Sequence, residues 1–172
     1  MCIRDSDKDL LRISEIIKPG YFRGIMIAIL NGTYSDVEVT KVASRLSKET
    51  KDKLSLVYVI EIPRNVEVDR EIPDLTDKAE DALNRMEALS RNMKIRPKSQ
   101  IIQSRFIGGA VVSHAIEEGS ETIVIGLPPK SDYHECYELT DSLEYVLEHA
   151  PCSVITCRPS SSGGSNRIGE ST

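Results

Sequence analysis

Aromatic residues make up only 5% of the chain, tryptophan is absent, and the lysines and arginines gather into no stripe. Proteins that grip nucleic acid set stacking side chains among a basic surface. With 22 basic residues scattered against 27 acidic ones and a formal net charge of −5, this chain offers neither. Apolar runs are short as well. None approaches the roughly 20 residues that cross a bilayer, so no membrane segment is visible. A secretory signal is missing too, which points to the cytoplasm. The few cysteines (Cys2, Cys136, Cys152 and Cys157) lack the paired spacing of zinc ligands and read as reduced thiols. No Ser/His/Asp or Cys/His arrangement stands out, so no catalytic residue is nominated and an enzyme is not expected.

The two ends carry little core-forming sequence. "MCIRDS" (Met1 to Ser6) resembles translated sequencing adapter and is set aside. Residues 7–20 form a helix or linker, with Leu10, Ile13 and Ile17 on one side and Pro19-Gly20 closing it. Residues 160–172, "SSSGGSNRIGEST", have Ile168 as their one apolar residue and are expected to be a disordered tail. Between them, residues 21–159 suit one domain with a real core.

Within that domain two periodicities alternate. "GIMIAIL" (Gly24 to Leu30), "LSLVYVI" (Leu54 to Ile60) and "TIVIG" (Thr122 to Gly126) are short, β-branched and free of charge, as strands covered on both faces must be. "KSQIIQSR" (Lys98 to Arg105) and "CSVITC" (Cys152 to Cys157) are more polar and suit the sheet edges. Helical stripes lie between. Val39, Val42, Ala43 and Leu46 follow "SDVE", where Ser35 with Glu38 has the pattern of a capping box. Ala79, Ala82, Leu83, Met86, Leu89 and Met93 make the second stripe, and Val111, Val112, Ala115 and Ile116 the third, ending at Gly119. Leu143, Val146, Leu147 and Ala150 make the last, stopped by Pro151. This alternation predicts an α/β fold, an open five-stranded parallel sheet with helices on both faces.

The first and fourth strands are the most apolar and are placed side by side at the centre, giving strand order 3-2-1-4-5. Ligands of open parallel sheets bind beyond the C-terminal strand ends where the order reverses. Two loops then face one crevice: "NGTYSD" (Asn31 to Asp36) and "GLPPKSDYHECYELTD", which runs from Gly126 to Asp141.

Together, "IAILNGTYSD", "EEGSETIVIG" and "SLEYVLEHAPCSVI" resemble the universal stress protein family, from about Arg23 to Arg158. The resemblance implies a Rossmann-like domain of the adenine nucleotide α-hydrolase type and, in nucleotide-binding members, ATP or AMP. Such members carry an aspartate after the first strand, near the adenine, and three spaced glycines after the fourth, the last followed by Ser or Thr. Here Asn31 stands at the aspartate's place, followed by Gly32. Val59 falls where an apolar residue lies beside the base. Gly126 matches the first glycine, Pro129 replaces the second, and Thr140 and Asp141 stand where the Gly-Ser pair should be, one residue beyond the family's spacing, with Ser142 behind them. Lys130 is the loop's cation and reads as a solvated lysine.

Those departures act against phosphate. Pro129 lacks an N–H, and Thr140 adds a Cβ where close backbone approach was needed. With Asp141 at the head of the last helix and Glu144 behind it, the helix would cap its own amides. A phosphate about 4 Å from Asp141 would meet repulsion of up to roughly 4 kcal/mol per charge pair at an effective dielectric constant near 20. That is about a thousandfold in affinity. The expectation is a regulatory or signalling domain without tight ATP binding and without catalysis. Two alternatives stay open: an ATP- or AMP-binding, weakly hydrolysing universal stress protein, and a cytosolic regulatory domain cut from a membrane transporter. The resemblance also implies a homodimer through the last strand, Cys152 to Cys157. "YHEC" (Tyr133 to Cys136) reads as an exposed polar loop rather than a metal site. His114 and His149 read as packing or surface residues. The connection Ile62 to Leu75 is long enough to form a lid, though a solvated loop is the plainer reading.

Overall fold

The computed structural model describes residues 24–67, 72–127 and 137–159. Five strands alternate with four helices: β1 (Ile25–Leu30), α1 (Ser35–Thr50), β2 (Lys53–Glu61), α2 (Pro73–Asn92), β3 (Lys98–Ser104), α3 (Ile107–Glu118), β4 (Thr122–Gly126), α4 (Tyr137–His149) and β5 (Ser153–Cys157). The strands form one parallel sheet in the order β3-β2-β1-β4-β5, as the apolar density of β1 and β4 predicts.

Strand alternation sorts the core into two layers. Met26, Ala28 and Leu30 of β1 point to one face, where they meet Val39 and Ala43 of α1 and Leu83 and Met86 of α2. Ile27 and Ile29 point to the other, against Val111, Val112 and Ala115 of α3 and Val146 of α4. The chain winds outward from β1 to β3, then returns to β4 beside β1 and winds outward again. Right-handed crossovers put the helices of the two halves on opposite faces, and the reversal leaves the C-terminal ends of β1 and β4 side by side, where open parallel sheets form their crevice.

Two helix starts differ from their sequence reading. Ser35 is the first residue of α1 rather than its N-cap; Tyr34 precedes the helix, and no side chain caps it. Ser35 is buried, with its hydroxyl turned to Thr33 at 2.6 Å instead of to the helix amides. Asp141 is not the head of α4, which begins four residues earlier at Tyr137. By contrast, Gly119 closes α3 in the left-handed conformation expected of it (φ +63), its neighbour Ser120 donating back to the Ala115 carbonyl at 2.9 Å. The connection after β2 is shorter than Ile62 to Leu75, because Pro73 to Leu75 form the first turn of α2. Proline suits that turn, where its missing N–H has no partner to lose.

Candidate functional site

The crevice is built from the β1–α1 turn, and one side chain organises that turn. Asp36, second residue of α1, is 3% exposed. Its Oδ1 accepts the Asn31 N–H at 3.0 Å and its Oδ2 the Gly32 N–H at 2.8 Å. Successive backbone N–H groups at a turn make a nest for an anion; here the chain supplies the anion itself. Burial pushes the Asp36 carboxyl above its ordinary range, against the opposing pull of those two N–H groups and of the Arg85 cation.

Gly32 makes the turn possible. Its φ is +78°, and a Cβ there would come within 2.9 Å of the Tyr58 hydroxyl on β2. Tyr58 therefore sits beneath the turn, and burial, seconded by the negative charge of Asp36, raises its phenol above the usual tyrosine range. Asn31 is engaged as well. Its Oδ1 accepts the Thr33 N–H at 3.1 Å and the Thr33 hydroxyl at 2.6 Å. Because the Thr33 proton is used there, Ser35 must be the donor in the Thr33–Ser35 contact at 2.6 Å. With its oxygen engaged inside the turn, Asn31 keeps its Nδ2 donors for other partners.

Gly126, the other predicted wall of the crevice, has a packing reason to be glycine. A Cβ would stand 2.6 Å from both Cβ and Oγ of Ser35 and 3.1 Å from a Val39 methyl. The start of α1 lies directly against the end of β4, so the close approach that glycine allows is taken up by the protein's own helix.

Other residues of the predicted site are dispersed. Val59 is 5% exposed and packs among Ile29, Val57, Val111 and Ile125, inside the core layer under α3 and α4. Ser142 is 4% exposed and lies against α3, where a Cβ on Gly108 would come within 2.8 Å of its carbonyl oxygen. Thr140 and Asp141 lie within α4, Asp141 exposed. An α-helical N–H bonds the carbonyl four residues back, so with the helix starting at Tyr137 the amides of residues 141–143 are already paired. Asp141 therefore does not cap the helix end; it lies exposed within α4. Pro129, Lys130 and "YHEC" lie outside the described residues. Among the described residues no group of three or more His, Cys, Asp or Glu could hold a metal ion.

Asp36 and Tyr58 are the site residues that the sequence reading missed. A signal for Asp36 was present: an acid in the first turn of a helix, four residues after a turn glycine. Its reach back to the turn amides needed the turn's geometry to become visible.

Just past the end of β3, Arg105 donates to the carbonyls of Arg64 at 2.8 Å and Val66 at 3.2 Å. This ties down the near part of the connection after β2, whose first residue Ile62 is buried. Among the described residues no helix is long and apolar enough to cross a membrane.

The model of the Usp family, "Universal stress protein family", matches residues 22–158. No curated protein matches the chain. Among solved structures, a universal stress family protein from Burkholderia pseudomallei is 18% identical, with a TM-score of 0.62 over 81% of this chain and 98% of that one. A universal stress protein from Archaeoglobus fulgidus, solved in complex with dAMP, is 15% identical with a TM-score of 0.61, covering 78% and 97%. One from Arabidopsis thaliana with AMP bound is 13% identical with a TM-score of 0.54, covering 83% and 97%. At these identities the likeness is one of fold.

Proposed function

The chain belongs to the universal stress protein family, and from that premise we propose that it is a regulatory or signalling domain of the family, cytoplasmic and without catalysis, which does not hold a nucleoside triphosphate tightly. The observation that carries this reading is the Asp36 carboxylate on the Asn31 and Gly32 amides. The donors that an anionic ligand would seek at the end of β1 are occupied, and a second anion brought to them would meet a buried negative charge. Gly126 supports the same reading, since its open side is filled by Ser35. The substitution of Pro129 for a motif glycine removes a further donor from the loop after β4.

The second reading is a domain that binds AMP or ATP in a non-standard way. It is favoured by the nucleotides in the Archaeoglobus and Arabidopsis relatives and by the Asn31 amide, whose Nδ2 can donate to a base. Calorimetric titration with Mg·ATP and with AMP separates the two. The expected result is no saturable heat in the micromolar range for ATP. A variant with Pro129→Gly, Thr140→Gly and Asp141→Ser restores the family's residue types at these positions while leaving Asp36 in place, and it too is expected to bind ATP weakly. Micromolar ATP binding by the natural chain overturns the proposal. Micromolar binding by the triple variant alone moves the cause from the β1 turn to the loop after β4.

A further inference from the structure

A groove of about 460 Å³ runs between the free edge of β3 and α3, away from the crevice. Its volume lies in the range of small-molecule sites, roughly 300–1,000 Å³. Gln100, Ile102 and Gln103 line it from the strand, and Ser113, His114 and Glu117 from the helix. Its polar chemistry is one-sided. Among the described residues no lysine or arginine lines it. Lys98, two residues before Gln100 on the strand, is held by Glu118 at 3.2 Å. Glu117 is exposed and has no ion pair among the described residues. Two further atoms lack partners among the described residues: Gln100 Oε1 and His114 Nε2 are both buried without a hydrogen bond. His114 as a whole is only 8% exposed. A buried polar atom left unpaired costs about 1–3 kcal/mol, so two beside one groove mark unmet capacity at that place.

The unmet capacity is that of acceptors. Gln100 Oε1 can only accept, the Glu117 carboxylate only accepts, and a neutral imidazole accepts through Nε2 when its proton is on Nδ1. An acceptor-rich groove with one carboxylate and no cation repels phosphates and carboxylates and suits a positively charged donor. We propose that this groove binds a small organic amine, whose ammonium group donates to Gln100 Oε1, His114 Nε2 and the Glu117 carboxylate. Gln100 and His114 both line the groove, though these two atoms are themselves buried. The Gln100 side chain is only partly buried, so a change of its torsions can present the amide oxygen to the ligand. The site is independent of the crevice and of whether nucleotide binds there.

The test is a titration of the ¹⁵N-labelled full chain with ethanolamine hydrochloride, followed by heteronuclear NMR, with sodium chloride, glycerol and sodium phosphate in parallel. Ethanolamine is expected to shift the Gln100 side-chain amide and the backbone signals of Ser113, His114 and Glu117 saturably, and sodium chloride to leave them in place. Glu117→Gln changes an exposed side chain and Gln100→Leu a partly buried one on the edge strand among the described residues. Each is expected to weaken binding about tenfold, the loss of one charge-assisted hydrogen bond, with an unchanged amide spectrum elsewhere. Non-saturable shifts, shifts reproduced by sodium chloride, undiminished affinity in both variants, or equal or tighter binding of glycerol or phosphate would each overturn the proposal.

Discussion

At the scale of single residues, the crevice depends on a carboxylate and a glycine that fit each other. Asp36 can reach the Asn31 and Gly32 amides only because Gly32 takes a positive φ over the Tyr58 hydroxyl. Gly32→Ala adds the left-handed penalty of about 1–2 kcal/mol to a contact too close for a methyl group. Urea unfolding is expected to show a loss of at least that size, and a variant as stable as the natural chain would refute the turn geometry. The titration of Asp36 has a definite sign. Burial raises its pKa in the folded protein, so the group's contribution to stability is full at pH below its unfolded pKa and is lost as pH rises through the folded value. Asp36→Asn removes this titration. The stability advantage of the natural chain over Asp36→Asn is therefore expected to be greatest in acid and to shrink toward neutral pH. Denaturation of both proteins between about pH 3 and pH 7, spanning the ordinary aspartate range, measures it. An advantage that grows toward neutral pH would mean that the N–H bonds outweigh the burial.

At the scale of elements, the strands and the helix stripes were legible because each obeys one period along its whole length. β4 was readable to the residue as Thr122–Gly126, because charge and turn residues bound five uninterrupted positions. The helix starts were not, since a start depends on which carbonyls and amides find partners in three dimensions. "SDVE" has the letters of a capping box, yet Ser35 turns to Thr33 and α1 begins without a side-chain cap. "TDSLE" looks like a helix head, yet Tyr137 already belongs to α4. The site was half legible for the same reason. Topology fixed where Asn31, Gly32 and Gly126 meet, while the reach of Asp36 is a fact of turn geometry. The α3–α4 pair adds a dependence that the apolar stripe does not reveal. A Cβ on Gly108 would lie 2.8 Å from the Ser142 carbonyl and 3.1 Å from its Cα, both backbone atoms that cannot swing aside. Gly108→Ala must push the two helices apart, at a cost in the 1–3 kcal/mol range of overpacking. The expected readout is a lower urea midpoint together with faster amide exchange in α4. An unchanged midpoint would place the two helices farther apart than described.

At the scale of the whole molecule, the parallel sheet has, among the described residues, two free edges of different character. β3 is seven residues long and carries Lys98 at its start, held by Glu118, while its far end runs into Arg105, committed to the carbonyls of the β2 connection. β5 has five residues, "SVITC", none charged, with Ser153 and Thr156 exposed. Uncharged edges pair with other strands unless something blunts them, and a strand meeting its own copy across a two-fold axis satisfies both edges at once. The homodimer proposed from the family resemblance therefore rests on β5 rather than β3. A lysine at Thr156 sets two like charges near the axis of such a dimer and leaves the folded monomer intact, because that side chain is already in solvent. Sedimentation equilibrium is expected to give a dimer for the natural chain and, for Thr156→Lys, a dissociation constant raised at least about tenfold, the effect of roughly 1.4 kcal/mol. Circular dichroism of the variant should match that of the natural chain. A natural chain that stays monomeric at every accessible concentration, or a variant that associates as well as its parent, would remove β5 as the dimer edge.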